Sequence, residues 1–458
     1  MRVCDEAINI GPAQAAESYL SIEKIIDAAR RSGAEAIHPG YGFLSENPDL
    51  ADAVEEAGLV LIGPSAAAMR LMGSKTSARR VAIAAGAPVT PGTTSALPNA
   101  EEAVRAASKI GYPVMLKASA GGGGKGMRIV KSDAEMGSAF SLAGSEAEAS
   151  FKDASVYIEK YIDRPRHVEV QLMGDRSGKI VYLGERECSL QRRHQKVVEE
   201  CPSPVVSPEL RRRMGETAAA IAAAAGYWNA GTIEFLLDSK GDFYFLEMNT
   251  RLQVEHPVTE MVVGRDLVHE QIKVASGEPL SFSQSDVVMR GAAIECRIYA
   301  EDPQRNFMPA PGRITRVETP SGPGVRLDSG IYEGWSVPMH YDPLLAKLSV
   351  WAENRPAAVQ RLARALNECE IGGIQTTLPF FRTLVSLDEF QKADYDTGFI
   401  ERFMADSSRG EQVDPVLRDI VAIASALHAT DKAHRNYAPA AAVSESKWKL
   451  SGRVASRR

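Results

Sequence analysis

The sequence predicts a multidomain chain, α/β at its N-terminal end and α+β beyond it, and three stretches carry that prediction. Residues 23–63 alternate helix with strand, residues 112–131 set a run of glycines between two strands, and residues 289–403 mix short strands with Gly/Pro turns and a helix. A chain of 458 residues with 44% hydrophobic content can bury the cores of about two to four domains.

From Glu23 to Arg31 apolar and polar residues recur at helical spacing, Gly33 supplies a stop, and EAIH (35–38) reads as a strand entering the loop HPGYGFLSEN. A second helix–strand unit follows at 50–63. Helix alternating with strand implies a parallel sheet, whose ligands gather at the carboxyl ends of the strands, where the loop 38–47 lies. A helix from Glu101 to about Ile110 leads into the strand YPVMLKAS, the glycine run and the return strand MRIVK: a hairpin with a Gly-rich tip. Ser207, Pro208 and Glu209 form an N-cap, a first-turn proline and a first-turn acid, opening an alanine-rich helix that Gly226 ends. Another helix is expected at 355–367. Asp414 and Pro415 start one more amphipathic helix, and the closing segment NYAPAAAVSESKWKLSGRVASRR reads as a linker or partner-contact tail.

The formal net charge of −6 argues against broad nucleic-acid or anionic-membrane binding, which needs an excess of Lys and Arg. The longest apolar run, Ala218 to Trp228, is too short for a bilayer, and MRVCDEAINI lacks a signal layout, so a cytoplasmic location is expected. Cys4, Cys188, Cys201, Cys296 and Cys369 are widely spread with no CxxC spacing, which predicts reduced, mostly structural thiols.

The stretch KASAGGGGKGM (117–127) is either a flexible loop without a ligand or a backbone surface that lies against phosphates. It is not a P-loop, because Gly126 follows Lys125 where a Ser or Thr would bind magnesium. Lys117 on the incoming strand favours a lid over nucleotide phosphates.

GTIEFLLDSKGDFYFLEMNTR (231–251) reads as two strands around Ser239–Asp242. A symmetric turn sets Glu234 opposite Glu247 and Thr232 opposite Asn249, with Phe235 opposite Leu246 and Ile233 opposite Met248 on the other face. Facing like charges destabilise a sheet unless a cation lies between them, and two carboxylates with an Asn oxygen suit Mg²⁺, or Mn²⁺, carried in by a nucleotide. The other possibility is a pair of solvated acids on an exposed face; Leu236 and Phe245, expected on that face, argue for a covered pocket. Next, Arg251, Gln253 and Glu255 alternate and in an extended strand would project to one side, able to hold a small planar oxyanion and take its proton. Arg186, Arg192, Arg193, His194 and Lys196 form a basic cluster. Enclosed by Glu185, Glu187, Glu199 and Glu200, it suits the wall of a polyphosphate site better than a nucleic-acid patch.

Together HPGYGFLSEN (38–47), KASAGGGGKGM (117–127), EKYIDRPRHVEVQ (159–171), ERECSLQRRHQKVVEE (185–200) and EMNTRLQVEHPVTE (247–260) closely resemble the biotin carboxylase family of ATP-grasp ligases, over roughly residues 1–403. The resemblance implies that MgATP and bicarbonate give carboxyphosphate and ADP, and that carboxyl then passes to N1 of biotin held on a carrier, the released phosphate deprotonating the biotin. It implies a truncated, Rossmann-like N-terminal domain (1–72), an ATP-grasp domain (73–288, lid about 90–161), a C-terminal mixed β domain (289–403) and a helix-plus-tail segment (404–458).

By motif, Lys75 and Lys117 resemble phosphate-binding lysines; Gly122, Gly123, Gly124 and Met127 resemble the lid and adenine cover, with Leu236 beside the nucleotide. Glu159 and Lys160 resemble adenine-side contacts, and His167, Gln191 and His194 ribose and phosphate neighbours. Glu234, Glu247 and Asn249 match the metal ligands. Lys196, Arg251, Gln253, the backbone of Val254, and Glu255 match the bicarbonate site, with Glu255 as base. Arg326, in GVRLDSG, resembles the residue that stabilises the biotin enolate, and Tyr41 part of the biotin entrance.

Family members open with a strand, helix and strand before the point where this chain starts, and no Met-Lys-Met biotin attachment motif is present. The expected partners are therefore a biotin carboxyl carrier and a carboxyltransferase on other chains, with homo-oligomerisation and no nucleic acid or membrane. The rival expectations are a carbamoyl-phosphate synthetase type of ligase and an inactive assembly subunit.

Overall fold

The computed structural model describes residues 4–119, 127–406, 420, 423–427 and 430; Gly122, Gly123 and Gly124 and the expected helix start at Asp414 and Pro415 lie outside them. The chain divides into two units, Met1–Arg402 and Phe403–Arg458. No helix among the described residues is long and apolar enough to cross a membrane.

In the first unit the helix Ile22–Ser32 stops at Gly33, whose φ of 66° is left-handed backbone that glycine adopts without a Cβ clash. Strands β1 (Ala36–Ile37) and β2 (Val60–Leu61) pair in parallel across the helix Pro48–Glu56, as helix–strand alternation predicts. Next, β3 (Val114–Ala118) lies between β4 (Arg128–Val130) and β5 (Val156–Lys160) in an antiparallel sheet. Val114 faces Val130 and Leu116 faces Arg128, so the expected hairpin forms on either side of the glycine run.

The main sheet has eight strands, every neighbouring pair antiparallel. They are β6 (Arg166–Gly174), β7 (Ile180–Arg192), β8 (Gln195–Cys201), β9 (Asn229–Leu237), β10 (Phe243–Asn249), β11 (Ala292–Tyr299), β12 (Val325–Ser329) and β13 (Leu344–Ala352). Their spatial order is β10-β9-β6-β7-β8-β11-β13-β12. The strands beyond residue 289 thus extend the sheet built before residue 249, β11 lying directly against β8.

One face of this sheet is oily. The helix Pro208–Ala224 lays Met214, Ala218, Ile221 and Ala222 into a core with Val168, Val170, Ile233, Phe235, Phe245 and Met248. Each fully buried Val, Ile, Phe or Met side chain contributes roughly 1.5–3 kcal/mol. Gly215 permits the close approach, since a Cβ there would come within 2.4 Å of the Tyr182 ring. Ser207 caps the helix, its hydroxyl accepting from the Leu210 N–H at 3.2 Å. Ser207→Ala is expected to lower stability by about 1 kcal/mol, read as a shifted urea midpoint at constant slope; an unchanged midpoint would show that the cap contributes nothing.

In the second unit the described helical positions expose Ile420, Ile423 and Leu427 at helical spacing.

Candidate active site

The other face of the main sheet carries a row of charge. Glu247 on β10 faces Glu234 on β9, Glu234 faces Glu169 on β6, and Glu169 faces Arg186 on β7. Further along, Glu199 on β8 faces Glu295 on β11, which faces Ser349 on β13, which faces Arg326 on β12. Side chains opposite one another in a ladder share a face, so antiparallel register alone gathers these groups.

The hairpin register matches prediction at Glu234–Glu247, Ile233–Met248 and Thr232–Asn249, but Leu246 is the extra residue of a bulge and Phe235 faces Phe245. One inserted residue flips the strand beyond it, so Phe245 belongs to the oily face rather than covering the acids. Leu236 stays beside the charged row, opposite His167, and is half-buried. Residues 251–255 also depart from expectation: they form a loop, not a strand, ending at Glu255 just before the helix His256–Val263, with Pro257 in its first turn. Gln253 and Glu255 still point inward and are buried, while Arg251 stays at the rim, donating to Glu46 at 3.0 Å and to Asn249 at 3.2 Å.

Arg186, fully buried, uses every guanidinium N–H: Nε to Glu169 at 2.6 Å, Nη1 to Gln171 at 2.7 Å and Thr259 at 3.1 Å, Nη2 to Gln253 at 2.7 Å and Thr232 at 3.3 Å. It thereby fixes the Gln253 amide, whose nitrogen donates to Glu234 at 3.1 Å. At the centre, the Lys196 ammonium donates to Glu169, to Glu234 at 2.8 Å and to Glu255 at 2.7 Å. Arg297 closes the other side of Glu255, Nη2 donating at 2.8 Å while its Nε donates to Glu199 at 2.6 Å.

Burial works against every charge here, and the partners decide the outcome. Glu169, Glu234 and Lys196 hold one another ionised despite desolvation, the acids well below the carboxylate range and the lysine well above its own. Glu255 is lowered too, burial being outweighed chiefly by Lys196, with Arg297 adding to it. Glu247 moves the opposite way: burial and then the Glu234 charge raise it. Facing acids split in this direction are what a divalent cation would reconcile. Asn249 donates to Glu234 at 2.8 Å, so its amide already lies against the pair, and the His167 ring stands 3.1 Å from Glu234, raised to about 9 against burial by the Glu234 charge. The two facing carboxylates offer hard oxygen with one imidazole near them, which fits Mg²⁺ or Mn²⁺, while the Asn249 oxygen is turned to Arg251 at 3.2 Å.

Lys75 opens the helix Lys75–Ala84 and is lowered by burial. Lys117 donates to Glu159 at 2.5 Å, and Arg79, absent from the sequence-derived set, donates to the same carboxylate at 2.9 Å. The Lys160 side chain is tied to the carbonyls of Gly111 and Tyr112 at 2.8 and 3.0 Å, and its backbone N–H donates to the Pro91 carbonyl at 2.7 Å. Gln191 donates to the Cys188 carbonyl at 2.9 Å, Met127 is half-buried, and His194 sits exposed in a tight turn with φ of 66°. The basic cluster is thus divided: Arg186 and Lys196 inward, Arg192 onto Glu301 at 2.8 Å, Arg193 and His194 at the turn.

Tyr41 is exposed, with the Lys347 ammonium 5.8 Å from its ring centre; Lys347 donates to the Val254 carbonyl at 2.8 Å. Arg326 lies on the edge strand, bound to Glu260 at 2.8 Å and Asp328 at 2.9 Å, and is not brought to Glu255. Arg297, absent from the sequence-derived set, is the arginine that donates to Glu255. Its signal in the sequence was available: Glu295 and Arg297 alternate within the otherwise apolar strand AAIECRIY.

Three family models match the chain: "Biotin carboxylase, N-terminal domain" over residues 1–69, "Carbamoyl-phosphate synthase L chain, ATP binding domain" over 74–283, and "Biotin carboxylase C-terminal domain" over 295–402. A biotin carboxylase of Nostoc sp. is 50% identical over 88% of this chain and 90% of its own length. A pyruvate carboxylase subunit of Methanothermobacter thermautotrophicus is 50% identical over 92% of this chain and 84% of its own length. Among solved structures, the biotin carboxylase domain dimer of Hydrogenobacter thermophilus 2-oxoglutarate carboxylase, in complex with MgADP, ADP and bicarbonate, matches with a TM-score of 0.84 and 45% identity, covering 88% of each chain. On this footing the chain belongs to the biotin carboxylase family.

Proposed function

We propose that this protein carboxylates biotin on a carrier, using ATP and bicarbonate, as the first half-reaction of a biotin-dependent acyl-CoA or pyruvate carboxylase. The observation that carries the assignment of roles is the junction at Lys196, where three carboxylates from β6, β9 and the 251–255 loop meet one ammonium beside the Glu234–Glu247 pair.

In this proposal a bicarbonate oxygen attacks the γ-phosphorus of ATP, the bond from that phosphorus to the ADP oxygen breaks, and carboxyphosphate forms. Glu255, held ionised, accepts the bicarbonate proton. Lys196 and Arg251 bear on the charge that develops, and the Gln253 amide, pinned by Arg186, orients the anion. Biotin N1 then takes the carboxyl, losing its proton to the released phosphate. Lys75 and Lys117 bind ATP phosphates, and β5 with Glu159 and Lys160 lines the base, along with Met127, Leu236, His167, Gln191 and His194. Glu234, Glu247 and Asn249 would hold Mg²⁺ or Mn²⁺, which when bound neutralises phosphate oxygens. Tyr41, beside the Lys347–Val254 contact, marks the entrance for biotin. The domain division at 72/73, 288/289 and 403/404, a carrier and carboxyltransferase on partner chains, an oligomeric enzyme and a cytoplasmic location belong to the same proposal.

ADP release measured with and without bicarbonate and free biotin tests it. Release that requires bicarbonate and rises with biotin is the expected result. A folded, ATP-binding sample without bicarbonate-dependent release would favour an assembly subunit, and carbamoyl phosphate formed from ammonia would move the chain to the other ligase type.

A further inference from the structure

Behind Glu255 lies a second pair of acids for which the proposed chemistry has no use. Glu199 and Glu295 are directly opposite on β8 and β11 and both wholly buried. Arg297 donates to Glu199 Oε1 at 2.6 Å and Ser349 to Glu295 Oε2 at 2.6 Å. The remaining oxygens, Glu199 Oε2 and Glu295 Oε1, are sealed from solvent and meet no donor among the described residues.

The charges around them leave the pair short of cations. On β11 itself Arg297 is shared with Glu255, and Tyr299 follows it on the strand; on β8, Lys196 is already committed to Glu169, Glu234 and Glu255. From β13, Lys347 donates to the Val254 carbonyl and stands 3.4 Å from Asp328, which Arg326 also holds on β12. From β7, Arg186 is spent on Glu169 and its neighbours, and Cys188 is a buried thiol. Two ionised carboxylates facing each other without a donor between their free oxygens are strongly unfavourable in such a place. A single proton held by the pair removes one of the two buried charges and supplies a donor where the unpartnered oxygens have none.

We infer that Glu199 and Glu295 hold one proton between them at neutral pH and, through Arg297, act as positioning residues that set how firmly Glu255 meets bicarbonate. This rests on the assignment of Glu255 to the bicarbonate side of the site. Burial raises both acids, Arg297 opposing it for Glu199, which is pushed up to about 8, and Lys347 for Glu295. The sign follows: below that pH the pair carries one negative charge, balanced by Arg297. Above it the proton leaves to solvent, and the new charge draws the guanidinium from Glu255 and repels an incoming anion.

The experiment is the pH dependence of bicarbonate-dependent ADP release in the native enzyme and in Glu295→Gln, whose amide keeps an N–H where the proton sits. The native KM for bicarbonate is expected to rise roughly fivefold between about pH 7.5 and about pH 9, and that of Glu295→Gln to stay within about twofold, the KM for MgATP moving alike in both. Parallel bicarbonate profiles in the two proteins overturn the inference. Infrared spectroscopy judges the pair independently of turnover. A carboxylic-acid C=O band at neutral pH that fades on alkaline titration, and is missing in Glu199→Gln or Glu295→Gln, supports the shared proton. Its absence in the native protein overturns it, whether or not the variants fold. Lack of any bicarbonate-dependent ADP release in the native enzyme would instead strike the functional proposal, with the infrared result still deciding the proton.

Discussion

Glu255→Gln is expected to reduce bicarbonate-dependent turnover by about 10²–10⁴-fold while nucleotide binding persists. Glu255 is 2% exposed and receives Lys196 on one oxygen and Arg297 on the other, so as an ionised acceptor it has both lone-pair faces oriented before substrate arrives. Glutamine preserves the shape but cannot accept a proton, and its amide nitrogen would turn a donor toward one of two cations. One buried cation then loses one of its carboxylate partners, which is expected to cost about 1–3 kcal/mol of stability. Single-turnover ADP formation with saturating bicarbonate, beside a thermal melt, separates the chemical loss from the structural one. Near-native turnover in a folded variant would remove Glu255 as the proton acceptor.

Arg297→Lys has the second largest expected effect. The guanidinium spans Glu199 and Glu255 with two different nitrogens, a geometry that one ammonium cannot reproduce. Burial disfavours its charge, but Glu199 and Glu255 hold it well above the ordinary arginine range, so it is a permanent cation in the wall behind Glu255. With lysine the charge survives while its orientation toward Glu255 is lost. kcat/KM for bicarbonate is expected to fall about 10²-fold, with MgADP affinity unchanged. Equal losses for nucleotide and bicarbonate would point to a general collapse of the sheet face, and no loss would remove Arg297 from the site.

How much of this was legible in the sequence depended on whether a rule was local or spanned the fold. The stop at Gly33, the cap at Ser207 and the parallel β1–β2 pair follow from nearest-neighbour chemistry, and the sequence carries them openly. The Glu234–Glu247 pairing was legible, although next to the turn the strands pair one residue off the expected register, Phe243 with Leu237, and the bulge restores it. The bulge at Leu246 was not, since nothing in a strand pattern marks where one residue is left unpaired, and it sent Phe245 to the opposite face. The segment 251–255 alternates like a strand but pairs with none among the described residues, so it loops toward the helix His256–Val263 and delivers Gln253 and Glu255 by a different path to the same place. Glu169 and Arg297 join the site from strands far apart in the chain, brought in by the order of the eight strands, and Arg79 reaches Glu159 of the three-stranded sheet from the helix Lys75–Ala84. Arg326, whose motif suggested a role beside biotin, is committed to Glu260 and Asp328 at the sheet edge.

The proposed convergence of Glu234, Glu247 and Asn249 on a divalent cation is tested most directly by Mn²⁺ binding, followed by electron paramagnetic resonance in the presence of ADP. The native protein is expected to bind Mn²⁺ at this site, and Glu234→Gln and Glu247→Gln each to bind it at least roughly tenfold more weakly while still folded. Unchanged Mn²⁺ affinity in both variants would contradict the placement of the metal between the two strands, and with it the proposed site.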